Sequence, residues 1–513
     1  MAARPPKLVL CVIDAMAPEM LERTIASGAA PVLERLVEDG LYVPDCVAAF
    51  PSVTPVCAAS IVTGRWQDDH RIPAMNWYHR DEDRYVEYGS SFRAAQRFGI
   101  ARQLTDTVYN MNRAHLSADT PTVFESLDDA GVRTAGTTYL MYRGRYRHEP
   151  VRDNPLSRVA ATLMRHAVMG PRELFYADIF ASQRTPCRSG LGMPGIRDRH
   201  SACVSEYMIE HDLFDFLLLS LPDNDWYSHK RGPEGQIQSL AQADLQLARV
   251  ANAAGGLDAF LAEHAVIVMA DHSQAPVSAA ITLQDELAEL GVLGPAHAAR
   301  PTRPARGSRG AARAEAVEPR IAVCPSQRAA MVYALHDAER DAMRASVAAL
   351  ALAVDGVDLV MWLERDAREN PREAVLACPE RGELRFAPGG PVADARGRRW
   401  RIGGSLEVLG ASVEDGVLSS PDYPDALARA WSALLCPTSG EVLLSAAPGW
   451  EFADWGGQAH VGGGSHGSLH SSDSLGALVI CGAGLPDPVP AQWSIRDVAA
   501  LALGHFGLAP APA

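Results

Sequence analysis

Short apolar runs alternate along this chain with stretches whose apolar residues recur every three or four positions. Residues 7–13 (KLVLCVI) predict a buried strand, and helix-period positions follow at 17–27 and 31–39. Strand-like runs return at 133–140 (RTAGTTYL), 214–221 (FDFLLLSL) and 265–270 (AVIVMA), with helical patterns near 121–131 and 200–211. A last run at 476–481 (GALVIC), followed by a helix near 495–505, leads back to the same core. Strands this apolar need cover on both faces. The pattern therefore predicts an α/β fold with a mostly parallel sheet covered by helices on both faces.

A second pattern interrupts the first. MVYALH (331–336) and DLVMWL (358–363) are strand-like around a helical 338–353, which predicts a smaller α/β insertion. Residues 294–319 are rich in Ala, Arg, Pro and Gly and have too little apolar bulk to order themselves, so they are expected to be a flexible linker. Their arginines also leave open a contact with nucleic acid or an acidic partner. The expected division is a first core segment at 1–293, the linker at 294–319, an inserted cap at 320–440 and a second core segment at 441–513.

Composition narrows the class. With 513 residues and 47% hydrophobic content, the core needs no disulfide staples. The net charge of −15 is set against a stable nucleic-acid partner. No run of 18 apolar residues occurs, so no membrane association is expected. The nine cysteines are scattered without a C-x-x-C pair, which suits a reducing, cytoplasmic setting better than a disulfide framework. The oligomeric state is left open.

Polar groups gather just beyond the strands, where open α/β sheets bind ligands. Asp14 ends the first run. LPDNDWYSHKRGP supplies Asp223, Asp225 and His229, AVIVMA is followed by Asp271 and His272, and GGGSHGSLHSSD brings His466 and His470. Singly, such residues are ordinary turn or cap residues. Together, carboxylates and imidazoles at four strand ends suit zinc or a similar metal. A pair of ions about 4 Å apart can clamp an in-line displacement at phosphorus.

FPSVTPVCAASIVTG (50–64) places Thr54 before Pro55 and an apolar helix that ends at Gly64. Its local reading is an N-cap, a first-turn proline and a C-terminal glycine. A hydroxyl at a helix N-terminus is also placed to meet a phosphate. Ser52 is the rival nucleophile. Ser60 and Thr63 lie inside the helix.

The order Asp14, FPSVTPV…TG, D-x-x-x-H, DH and HG resembles the alkaline phosphatase superfamily. The branch it is most similar to is the type I phosphodiesterase/nucleotide pyrophosphatase family. Gly64 with His70 and Ile72, and MNWYHRDEDRYVEY (75–88), add to the likeness, which covers about 7–290 and 440–510. The resemblance implies two divalent metal ions, zinc being the family's usual metal. One would sit on Asp225, His229 and His466, the other on Asp14, Asp271 and His272, with Thr54 between them as the nucleophile of a phosphothreonine mechanism. Asp223 remains an alternative to Asp225, and His470 to His466. The family's Asn three residues after the nucleophile is here Cys57, and its Lys before it is Val53, so the phosphate pocket departs from the pattern.

Cys57, Asn76, Trp77, Tyr227 and His470 are the candidate substrate contacts, and Trp77, Tyr78, Trp226 and Tyr227 serve equally well as packing residues. Lys230, Arg231 and His70 are candidates for meeting a substrate anion. The expected activity is hydrolysis of a small phosphate diester or pyrophosphate. A monoesterase or phosphonate hydrolase with the same site, or an inactive metal-stabilised binding protein, are the alternatives. A sulfatase is set aside because no C-x-P-x-R motif occurs.

Overall fold

The computed structural model describes residues 5–152, 164–295, 318–364 and 373–509. Residues 296–317, most of the expected linker, lie outside the described residues.

Among the described residues, eight strands form the main sheet in the order Leu41–Val47, Leu475–Cys481, His264–Met269, Lys7–Ile13, Phe216–Leu221, Thr134–Gly136, Glu173–Tyr176, Phe180–Ala181. The five strands from His264–Met269 to Glu173–Tyr176 run parallel. The remaining pairs are antiparallel. The sheet is therefore mixed, with a parallel centre. Side-chain alternation explains why its strands are apolar throughout. Leu8, Leu10 and Val12 enter one core cluster, while Val9, Cys11 and Ile13 enter another on the opposite face.

The run at 133–140 keeps strand geometry only at Thr134–Gly136. Beyond it, hydroxyls replace backbone partners. Thr137 Oγ1 accepts from the Ser220 N–H at 2.8 Å and Thr138 Oγ1 from the Ala177 N–H at 2.7 Å. Side-chain bonds of this kind compete with the ladder.

Among the described residues, the insertion and the strand Val442–Ala446 build a second, nine-stranded sheet. Its strands pair antiparallel except for one parallel bridge, Ala393 with Val417. Val442–Ala446 lies inside this sheet, between Ala329–Ala334 and Val357–Leu363. One face of the second sheet (Cys324, Met331, Tyr333, Leu359, Met361) shares a core cluster with Leu8, Leu10 and the helix after Thr54. The insertion is thus packed against the main-sheet half through continuous apolar contact.

Seven cysteines are buried outside any disulfide, but Cys187 and Cys203 form one. This corrects the expectation of unpaired thiols, since one bridge leaves no repeated spacing in a sequence to read. It ties the loop after Phe180–Ala181 to the Arg197–Glu210 helix. No helix among the described residues is long and apolar enough to cross a membrane.

Glu87 ends the hairpin Asn76–His79/Arg84–Glu87 and is 2% exposed. Burial pushes its carboxyl up to about 7, against the N–H donors of Ser90 and Gly89. The folded state therefore holds this proton more tightly than the unfolded chain. Its stability contribution is complete below the ordinary glutamate range and is lost as pH rises through 7. Glu87→Gln should flatten that slope and raise stability at pH 8 by on the order of 3 kcal/mol. Urea unfolding of both proteins at pH 5 and pH 8 checks this, and an unchanged slope would remove Glu87 as its source.

Candidate metal centre

The strand register carries the polar residues to one edge. Val12 lies level with both Ser220 and Met269, so Asp14, the start of the Asp223–Arg231 helix and Asp271 emerge side by side. Asp225 and His229 are four apart on that helix and share a face. His466 follows the short strand Gly464–Ser465, which pairs with Ala275 and Pro276 just after His272. Two groups result, Asp225–His229–His466 and Asp14–Asp271–His272, each with ligand atoms within 4.8 Å of one another. The rings of His272 and His466 stack at 3.7 Å and join the two groups.

Each imidazole is oriented in the same way. The Nδ1–H groups of His229, His466 and His272 donate to the carbonyls of Gly464 (2.8 Å), Ser52 (2.7 Å) and Ser273 (3.1 Å). Nε2 is thereby left as the acceptor and faces carboxylates: Asp225 lies 3.4 Å from His229 and 3.5 Å from His466, and Asp271 lies 3.5 Å from His272. Backbone partners of this sort fix the tautomer of metal-binding histidines. Asp14 Oδ1, Asp271 Oδ2 and His466 Nε2 are buried without a hydrogen-bond partner among the described residues.

The electrostatics agree. Burial, reinforced by Asp271 and Asp225, pushes Asp14 well above the usual carboxylate range. Burial works in the same direction on Asp225, but His229, His466 and His272 outweigh it and hold that carboxyl well below the usual range. Burial, with His272 close by, lowers His466. Orphaned acceptors and crowded carboxylates with nitrogen donors are the donor set a divalent cation satisfies, so the residues fit such an ion.

Thr54 stands at the junction. It is the first residue of the Thr54–Thr63 helix; Val53 holds the cap position and makes no side-chain cap. The expected Thr54 cap is therefore absent, and Thr54 Oγ1 instead lies 3.3 Å from His272 Nε2. The helix N-terminus also offers fewer N–H groups than expected, because those of Val56 and Cys57 both donate to the Val53 carbonyl and Pro55 has none. The rival hydroxyls are engaged. Ser52 Oγ donates to the Ser468 carbonyl and accepts from the Gly467 N–H. Thr63 Oγ1 donates to Ala59. Ser60 Oγ pairs with His70 Nε2 at 3.2 Å.

Other expectations separate at this point. Asp223 accepts from Gly195 N, Arg197 Nε and Asp198 N, which makes it an anchor for the Arg197–Glu210 helix. His470 accepts the Ser472 N–H on Nδ1 and packs against Tyr423, so it caps Ser471–Ser474 rather than joining His466. Cys57 is fully buried, and burial pushes its thiol well up. Asn76 is a core residue whose amide donates to the Val86 carbonyl. Trp77 is buried against His79 and His115. His70 accepts the Ile72 N–H and is held neutral by burial, its pKa lowered to about 3, so it serves packing rather than an anion. Lys230 and Arg231 lie over the rings of Trp226 and Tyr227 one turn earlier on the same helix.

Several residues of the site were missed by the sequence reading. Gln274 donates to Asp225 Oδ1 at 2.5 Å, and the Asn224 amide donates to the Asp14 carbonyl at 2.8 Å. Gln327, from the insertion, brings Nε2 to 3.5 Å from His229 Nε2. Ala15 takes a positive φ of 59° and donates its N–H to Asp271 Oδ1 at 3.2 Å. Non-glycine residues adopt that backbone rarely, and more often at functional sites. DH-adjacent Gln274 had a positional cue; Gln327, in a segment the resemblance did not reach, had none.

The architecture defines the fold class: an α/β fold of the alkaline-phosphatase-like kind, with a large mixed sheet flanked by helices. Residues 8–377 match the family Type I phosphodiesterase / nucleotide pyrophosphatase, and the chain belongs to that family of metal-dependent phosphoester hydrolases. Phosphonoacetate hydrolase from Sinorhizobium meliloti 1021, in complex with phosphonoformate, is similar over 98% of this chain and 96% of its own, at 17% identity and a TM-score of 0.55. Human ectonucleotide pyrophosphatase / phosphodiesterase 5 is similar over 99% and 96%, at 11% identity and a TM-score of 0.55. An inactive variant of the murine protein of that name, in complex with AMP, is similar over 99% of this chain and 96% of its own, at 12% identity and a TM-score of 0.55. No match was found among curated proteins.

Proposed function

We propose that this chain hydrolyses a small phosphate diester or pyrophosphate by attack of Thr54 on phosphorus. Two divalent metal ions, zinc being the expected kind, would be held by Asp225, His229 and His466 and by Asp14, Asp271 and His272. The carrying observation is the common orientation of the three imidazoles, with Nδ1–H on backbone carbonyls and Nε2 turned toward carboxylates beside the Thr54 hydroxyl. When bound, the ions supply Lewis-acid stabilisation of charge on phosphorus-bound and leaving oxygens.

The chain's own residues do the rest. Thr54 loses its hydroxyl proton to solvent, and its oxygen forms a bond to phosphorus as the bond to the leaving group breaks. The leaving group departs with the electron pair and takes a proton from solvent. Water then attacks phosphothreonine, the phosphorus bond to Thr54 breaks, and the hydroxyl is restored. Asn224 and Gln274 hold Asp14 and Asp225 in place through this cycle. Cys57 supplies no amide to the phosphoryl oxygens, and loss of one such donor is worth about 3 kcal/mol in other enzymes.

A phosphonate substrate is the second reading, supported by the whole-chain likeness to phosphonoacetate hydrolase. A panel decides between them: bis-p-nitrophenyl phosphate, p-nitrophenyl thymidine 5′-monophosphate, p-nitrophenyl phosphate and phosphonoacetate. The highest kcat/KM is expected on one of the two diesters. A monoester rate well above both would overturn the diesterase reading, and phosphate release chiefly from phosphonoacetate would establish the second.

A further inference from the structure

Glu451 lies on the Gly449–Phe452 strand and is 1% exposed. A carboxylate removed from water is costly unless it is hydrogen-bonded. This one accepts from His460 N at 2.6 Å, His460 Nδ1 at 2.8 Å and Ser465 Oγ at 2.9 Å. All three donors come from one segment, HVGGGSH (460–466), which ends in His466. Its three consecutive glycines give that backbone little conformational preference of its own. At Gly463 a side chain is excluded, because a Cβ would stand 2.0 Å from the His229 carbonyl oxygen.

The pinned segment meets the metal centre in three places. Ser465 directly precedes His466. The Gly464 carbonyl takes the His229 Nδ1–H. The His460 ring lies over that of His229, with centroids 4.0 Å apart and planes 26° from parallel. None of the three bonds to Glu451 comes from Asp14, Asp271 or His272.

We infer that Glu451, through His460 and the 460–465 segment, is a positioning residue for the Asp225–His229–His466 group alone. This rests on metal binding by that group as proposed above. Glu451 fixes the ring plane of His229 and the approach of His466, so its loss weakens one metal-binding step and spares the other.

Metal-free full-length protein is titrated with Zn²⁺ against a chromophoric chelator. Wild type is expected to bind two ions, and the step lost in Asp225→Asn identifies the group concerned. Glu451→Gln should weaken that same step by about 10–100-fold, the usual effect of disturbing a partner of a metal ligand, and leave the other step unchanged. His460→Phe, which keeps a ring over His229 but removes the Nδ1–H, should weaken the same step, and it decides the matter if Glu451→Gln does not fold. Unchanged affinities in the variants, or equal weakening of both steps, would overturn the inference. Failure of wild type to bind two ions would instead overturn the bimetallic reading, and that is seen before any variant is made.

Discussion

Thr54→Ala should lower kcat by at least about 10³-fold, as expected when a covalent nucleophile is removed. The reason is the lack of a substitute. Ser52, Ser60 and Thr63 each have their hydroxyls committed to neighbours, while Thr54 Oγ1 faces His272 Nε2 at the junction of the two groups. Folding should be little affected, because Thr54 caps nothing and its helix is held by Val56, Ala58, Ala59 and Val62 in the core. Thr54→Ser should keep measurable turnover, since it keeps the hydroxyl. Steady-state kinetics on a diester, with metal content measured on the same samples, provides the check. Turnover near wild type in the alanine variant, with metal content unchanged, would eliminate Thr54 as the attacking group.

Removing metal should have an effect of similar size and a second, thermodynamic signature. Dialysis against a chelator is expected to abolish turnover, and Zn²⁺ to restore it. Without a cation, burial disfavours the charge of both Asp14 and Asp271, Asp271 and Asp225 add to it at Asp14, and Asp225 adds to it at Asp271. A bound ion relieves that repulsion, so Tm should rise with free metal concentration. At 1,000 times Kd, one such site contributes about 4 kcal/mol. Asp225→Asn should lose one ion per chain, because Asp225 lies within 3.5 Å of both His229 and His466. Full activity and an unchanged Tm in chelated protein, with metal analysis confirming its absence, would contradict the metal-dependent reading.

Much of the architecture was legible because it rests on local pattern. The apolar run at 7–13 and the one at 476–481 are strands at nearly those residues, and the helix at 31–39 is found as Pro31–Asp39. Burial on both faces leaves such a signature in neighbouring residues. The run at 133–140 was read too long because its threonines look β-favouring, while in the fold their hydroxyls satisfy other backbone groups. The antiparallel second sheet was hidden for another reason. Strand direction is set by long-range pairing, and the short apolar runs at 331–336 and 358–363 carry no sign of it.

By itself, the sequence determined which chemistry is available and at which strand ends it appears: Asp14, Asp225 with His229, Asp271 with His272, and His466. Strand endings and i, i+4 spacing are local properties, so they can be read in a line of residues. Only the tertiary structure decided between chemically equal neighbours. It turned Asp223 to the Arg197–Glu210 helix and Asp225 to the histidines, and it bonded Ser52 to Ser468 while leaving Thr54 at the junction. It also brought in Gln327, Glu451 and His460. Those choices depend on contacts between residues as many as 416 positions apart. Their physical cause is the packing that closes two sheets around one edge, and no local pattern encodes it.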